Sequence, residues 1–227
     1  MTFQSTSAPS NPLFLLLIAV AVVSTGTATA GLLDLHRITK PLVMLIAIVF
    51  IATRAYQSRP RGRFESRFKT WLLIALVCSL AGDVALMFPG YFIPGLVAFL
   101  LAHLSYIALL KQGQVWFASR RALLATLGFG AAMYAVLWVG GLPPSLRAPV
   151  AAYVLVITLM AAQAIGRATV LRDPAAWGVA IGAGFFMLSD TLLALNRFVT
   201  PLPLAPLWVL STYYAAQILI VRHARPS

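Results

Sequence analysis

The sequence predicts an all-α fold: a polytopic membrane protein of eight transmembrane helices. Three observations carry this expectation. Of the 227 residues, 61% are hydrophobic and only 10% charged, whereas soluble domains are about 25% charged, and the mean hydropathy is +0.91. Eight runs, at 13–31, 39–56, 69–88, 91–110, 121–139, 148–165, 174–196 and 203–221, each approach the roughly 20 apolar residues needed to cross a bilayer. The basic residues gather at alternate ends of these runs.

The first run ends in TATAG, which resembles a signal-peptide cleavage site, but residues 1–12 carry no Lys or Arg, so a retained helix is expected. Lys40 and Pro41 open the second run. The third holds Cys78, the single cysteine, which excludes an intrachain disulfide, followed by Ser79 and Asp83. In the fourth, helical spacing puts Phe99, His103 and Tyr106 on one face. The fifth shows little polar identity beyond Thr126, Tyr134 and Trp138. Arg147 and Pro149 mark the start of the sixth. The seventh carries Gly178, Gly182, Phe186 and Asp190 at intervals of four, a stripe suited to close helix packing that also leaves space beside the acid. The eighth brings Tyr213, Tyr214 and Gln217 together. The connections are short, so residues 1–227 read as one membrane domain.

A net charge of +12 raises the question of nucleic acid, and its placement argues against that partner. If both termini share a side, thirteen of the 17 basic residues lie there, many of them in RAYQSRPRGRFESRFK (54–69). Arg37, Lys40, Arg147 and Arg197 lie opposite. The positive-inside rule then puts both termini in the cytoplasm, with the basic loops meeting anionic headgroups. For a bacterial source this means the inner membrane.

An offset of 107 residues relates Lys40 to Arg147, Asp83 to Asp190 and Tyr106 to Tyr213. It predicts two parallel four-helix repeats, 13–110 and 121–221, about an axis along the membrane normal. That axis would bring Asp83 and Asp190 face to face at similar depth. An ionisable residue inside a bilayer costs about 2.5–3.5 kcal/mol even on lenient scales, so both acids are expected to face the bundle interior. Two carboxyls that meet there share one proton: one serves as acid, the other as base or cation stabiliser. His103, the one histidine well inside a run, is either an orienting group or an ordinary hydrogen-bonding residue. Lys40 and Arg147 are candidates to clamp a phosphate, or simply interface anchors. No metal-binding spacing, nucleophile elbow, phosphate loop or cofactor motif is found, so neither a metal nor a cofactor is expected. Buried acids and glycine-lined helices suit proton-coupled transport of a lipid or amphiphile as well as they suit an enzyme. The glycine-rich faces allow a homodimer without requiring one.

The motifs KP (40–41), GDVALM (82–87), GLVAFLLAHLSYI (95–107), GAGFFMLSDTLLA (182–194) and YYAAQILI (213–220) resemble the YhhN family of integral membrane lysoplasmalogenases. The resemblance runs from the second helix onward. It implies hydrolysis of the vinyl ether bond of a lysoplasmalogen, a lysophospholipid held within the bilayer, with water as co-substrate, to fatty aldehyde and a glycerophospho-alcohol. It carries over to Lys40, Asp83, His103, Tyr106, Ser189, Asp190, Tyr213 and Gln217. On this reading Asp83, Asp190 and His103 are catalytic, and Lys40, Tyr106, Arg147, Ser189, Tyr213 and Gln217 bind substrate. The fifth helix and the position of Arg147 match no motif.

Overall fold

A computed structural model describes residues 11–54 and 63–226, and among these the chain is helical with no strand. The helices are α1 (Pro12–Thr29), α2 (Leu33–Thr53), α3 (Arg63–Ala85), α4 (Phe92–Lys111), α5 (Arg120–Val139), α6 (Pro144–Leu171), α7 (Pro174–Phe198) and α8 (Ala205–His223). The first seven are long and apolar enough to cross a membrane. At 19 residues α8 reaches about 28 Å, but Ser211, Thr212, Tyr213, Tyr214 and Gln217 lower its hydropathy and it does not qualify by composition. The chain is therefore an integral membrane protein. Residues 1–10 and much of the basic 54–69 stretch lie outside the described residues.

Two boundaries correct the sequence reading. Helix α2 begins at Leu33, so Lys40 stands two turns inside it and Pro41 is an interior proline. Helix α6 begins at Pro144, so Arg147 sits in its first turn and Pro149 is interior. Both prolines lack the N–H that an interior position donates four residues back. Neither stops its helix, because each lies in the outer turns, with the long apolar part still to come.

The helices pack as two sequential groups. Helix α1 lies on α2, α2 on α3 and α3 on α4; then α5 lies on α6, α6 on α7 and α7 on α8. The groups are joined by α4 against α6 and by α8 against α1 and α2. Small residues set the close approaches. A Cβ at Gly182 would meet Ile220 Cγ1 at 2.9 Å and the Ala216 carbonyl at 3.0 Å, and one at Gly178 would strike the His223 ring. The glycine stripe of α7 thus seats α8, and does not leave room beside Asp190.

Candidate active site

The two intramembrane aspartates have separate surroundings. Asp83 is 2% exposed. Its Oδ1 lies 3.2 Å from Lys40 Nζ, and Tyr213 Oη donates to its Oδ2 at 2.6 Å. Gln217 Nε2 donates to Tyr213 Oη at 3.4 Å, and Tyr106 Oη donates to Gln217 Oε1 at 2.8 Å. Helices α2, α3, α4 and α8 thus build one buried polar chain, and it uses both oxygens of the carboxylate. Gly82 explains part of the GD motif: a Cβ there would lie 2.5 Å from the Phe99 ring, so the glycine lets α4 seat Phe99 directly beside the acid.

Asp190 is only partly buried. Its side chain is 17% exposed and lines an apolar cleft. The walls are apolar: Phe92, Leu96 and Phe99 from α4, Phe129 and Met133 from α5, Val154 and Ile157 from α6, Met187 and Leu193 from α7. Tyr153 Oη donates to Asp190 Oδ2 at 2.5 Å and lies 2.9 Å from His103 Nε2. His103 Nε2 is itself 3.5 Å from the same carboxylate oxygen. The histidine is fully buried, and its Nδ1 has no protein partner among the described residues. Such a buried polar atom calls for an ordered water or a transferable proton.

One ring joins the two centres. Phe186 packs edge-on against His103 at 4.7 Å between centroids and against Tyr213 at 5.4 Å. Phe99 touches both Phe186 and Tyr213. No hydrogen bond links the two carboxyls among the described residues: Asp83 meets Lys40 and Tyr213, and Asp190 meets Tyr153 and His103. The physical reason is Lys40. Placed two turns inside α2, it neutralises Asp83, and aromatic rings fill the space between the acids.

The other expected residues divide accordingly. Tyr106, Tyr213 and Gln217 belong to the Asp83 chain and do not line the cleft. Ser189 Oγ donates to the Val209 carbonyl at 2.9 Å, which fastens α7 to α8 and keeps the hydroxyl out of the cleft. Arg147 lies over the Trp138 ring at 3.9 Å instead of pairing with Lys40. Tyr153 was not singled out from the sequence. It has no counterpart at the 107-residue offset, where Ile46 stands, so repeat matching passes over it. The available signal was a hydroxyl midway along an apolar helix.

Fold and site together define a polytopic helical membrane protein with an acid at an apolar cleft inside the bundle. The chain matches the YhhN family over residues 35–224 and belongs to it. It is similar to the lysoplasmalogenase TMEM86B of Homo sapiens, 33% identical over 183 residues that cover 81% of this chain and 74% of that protein. It is also similar to the lysoplasmalogenase of Mycobacterium tuberculosis, 33% identical over 194 residues covering 82% and 70%. With TMEM86B of Rattus norvegicus it is 36% identical over 156 residues, 68% of this chain and 62% of that protein. These relatives are named lysoplasmalogenases, and they bear out the family expected from the sequence. No solved structure matches it.

Proposed function

We propose that the protein hydrolyses the vinyl ether bond of a lysoplasmalogen, with Asp190, Tyr153 and His103 as the acid–base centre. The observation that carries this is a carboxyl with two proton-holding partners on the wall of an apolar cleft. An apolar cleft with a few convergent polar groups is the usual form of such sites.

The reaction begins with the carboxyl of Asp190 protonated. It delivers its proton to the outer vinyl carbon, the alkene electron pair forms the new C–H bond, and an oxocarbenium develops at the carbon bearing oxygen. The carboxylate left behind stabilises that cation, as in glycoside hydrolysis. Water adds to the cationic carbon and its proton returns to the carboxylate. The hemiacetal then breaks its C–O bond, the hydroxyl proton passes to the departing glycerol oxygen, and aldehyde and alcohol leave. The proton returned by water leaves Asp190 ready for the next turn, and the Tyr153 hydroxyl, bonded to Asp190 Oδ2 and 2.9 Å from His103 Nε2, holds the carboxyl in place for both transfers. The chain of two hydrogen bonds is the geometry that general acid–base transfer requires.

Asp83 has a supporting role in this reading. Its charge is held by Lys40, and it orders Tyr213, which packs on Phe186 and so on the back of His103. The distribution of basic residues favours both termini on the cytoplasmic side, as expected from the sequence, in an inner membrane for a bacterial source. Purified protein in detergent, given a lysoplasmenyl lipid, should release fatty aldehyde, and Asp190→Asn should release none while eluting as folded protein. Well-folded wild type that moves the lipid between leaflets and releases no aldehyde would replace the hydrolase with a transporter.

A further inference from the structure

We infer that Arg197 binds the phosphate of the substrate and thereby restricts the cleft to phosphorylated alkenylglycerols. This rests on the reading of Asp190 as the acid of a vinyl ether hydrolase.

Four basic residues lie on the side of the bundle that the distribution of charge places opposite the termini: Arg37, Lys40, Arg147 and Arg197. Two are committed to carboxylates and a third stands off the cleft wall. Arg37 pairs with Asp34 at 3.2 Å. Lys40 is turned inward to Asp83. Arg147 lies over Trp138 and is not part of the cleft wall. Arg197 lines the cleft, and among the described residues it has neither a carboxylate partner nor a hydrogen bond from its guanidinium.

Its placement relative to Asp190 follows from helix geometry. Seven residues are two turns of α7, so the two side chains share a face about 10 Å apart along the axis. In an alkenyl lysophospholipid one glycerol separates the vinyl ether from the phosphate. An ether held at Asp190 therefore puts the phosphate towards Arg197.

Its posture fits an anion as well. The guanidinium carbon sits 4.1 Å from the centroid of the Phe92 ring and 5.7 Å from that of Phe198, both of which line the cleft. Lodging on ring faces holds the group by its π surface. The N–H donors of a guanidinium lie in its own plane and stay free for bidentate contact with phosphate oxygens. An arginine that only anchored the interface would not need to line the same cavity as the acid.

The test compares wild type, Arg197→Gln and Arg197→Lys on two substrates in mixed micelles: a 1-alkenyl lysophospholipid and the matching phosphate-free 1-alkenylglycerol. On the phospholipid, Arg197→Gln should lose about 10–100-fold in kcat/KM, the range of one charge-assisted hydrogen-bonded contact, chiefly through a higher KM. Arg197→Lys should recover part of it. On the alkenylglycerol the three proteins should agree within about 2-fold. Inhibition by the product glycerophosphoethanolamine should weaken in Arg197→Gln in parallel, a comparison that holds even where alkenylglycerol turns over slowly. Equal loss on both substrates, with product inhibition unchanged, would make Arg197 a packing residue and overturn the inference while leaving the hydrolase intact. Wild type inactive on both substrates would overturn the hydrolase itself, and the phosphate role with it.

Discussion

The Lys40–Asp83 pair gives the sharpest test of how the two acids divide the work. Both partners are nearly sealed, at 12% and 2% side-chain exposure. Removing one member of a buried pair strands the other and costs about 3–5 kcal/mol. Lys40→Met leaves Asp83 with only the Tyr213 hydroxyl, and should fall near the top of that range. Asp83→Asn leaves a lysine with a long stem that can reach towards the interface, and should fall near the bottom. For a chain of this size about 1 kcal/mol moves Tm by roughly 2–4 °C, so the single variants should melt on the order of 6–20 °C lower. The double variant Lys40→Met/Asp83→Asn removes both charges at similar volume and should recover most of that loss, because neutral replacement of a buried pair is often close to cost-free. Tryptophan-fluorescence melting in detergent measures stability, and aldehyde release measures function. If Asp83 only supports, the double variant should keep aldehyde release within about 10-fold of wild type, the loss expected from a disturbed positioning contact. A double variant that melts like wild type but is as inactive as Asp190→Asn would show that Asp83 takes part in the chemistry, and the division drawn here would be wrong.

Four further outcomes are expected. Tyr153→Phe removes the hydroxyl between His103 and Asp190; it should lower kcat about 10²–10⁴-fold, read as aldehyde release by protein that still elutes as folded. Ala194→Trp should fill the cleft and raise KM for long alkenyl chains more than for short ones, without shifting the elution volume. Gly182→Val should destabilise by about 1–3 kcal/mol through overpacking against Ile220 and the Ala216 carbonyl, read as a lower Tm. Asp173 caps α7 through the Ala175 N–H, and the Arg225 guanidinium 2.6 Å away holds its carboxyl below the usual carboxylate range. That contribution is present at neutral pH and lost as pH falls through the lowered value. Asp173→Ala should therefore cost about 1 kcal/mol at neutral pH and less in acid, as melting curves at two pH values would show.

The helices were legible because apolar run length and the cost of burying polar groups in lipid act through local sequence. The same rule marked Asp83, Asp190 and His103 as interior residues. What it could not give was how one residue's position is decided by another helix. Lys40 looked like a helix entrance because Pro41 usually marks a first turn, yet the polar turn from Asp34 to Thr39 is helical too and carries Lys40 to the depth of Asp83. Ser189 looked like part of the SD motif's chemistry, but its hydroxyl finds the Val209 carbonyl on α8. Tyr153 had no motif at all; its role comes from the contact of α4 with α6, a pairing between halves that no spacing along the chain encodes.

The contrast between the acids follows from that same packing between halves. Within each group the helices stack in the same sequence, so an internal twofold would make the surroundings of Asp83 and Asp190 alike. They differ because the outer helices do. Helix α1 closes on α8, and α8 also meets α2, so the space beside Asp83 is filled by helices and by Lys40. The counterpart contact is missing on the other side, where the backbones of α4 and α5 do not approach among the described residues. The gap between them is the cleft, walled by Phe99 on α4 and Phe129 on α5, with Asp190 facing it. A charged acid can remain buried only with a counter-charge, and an acid that must gain and lose a proton cannot keep a permanent one beside it. Lysine on Asp83, and tyrosine with histidine on Asp190, are the two answers to those two demands. On the proposed reading the proton transfers fall where the halves meet, with His103 of α4 against Tyr153 and Asp190, and the fixed charge that steadies the aromatic wall falls in the first half.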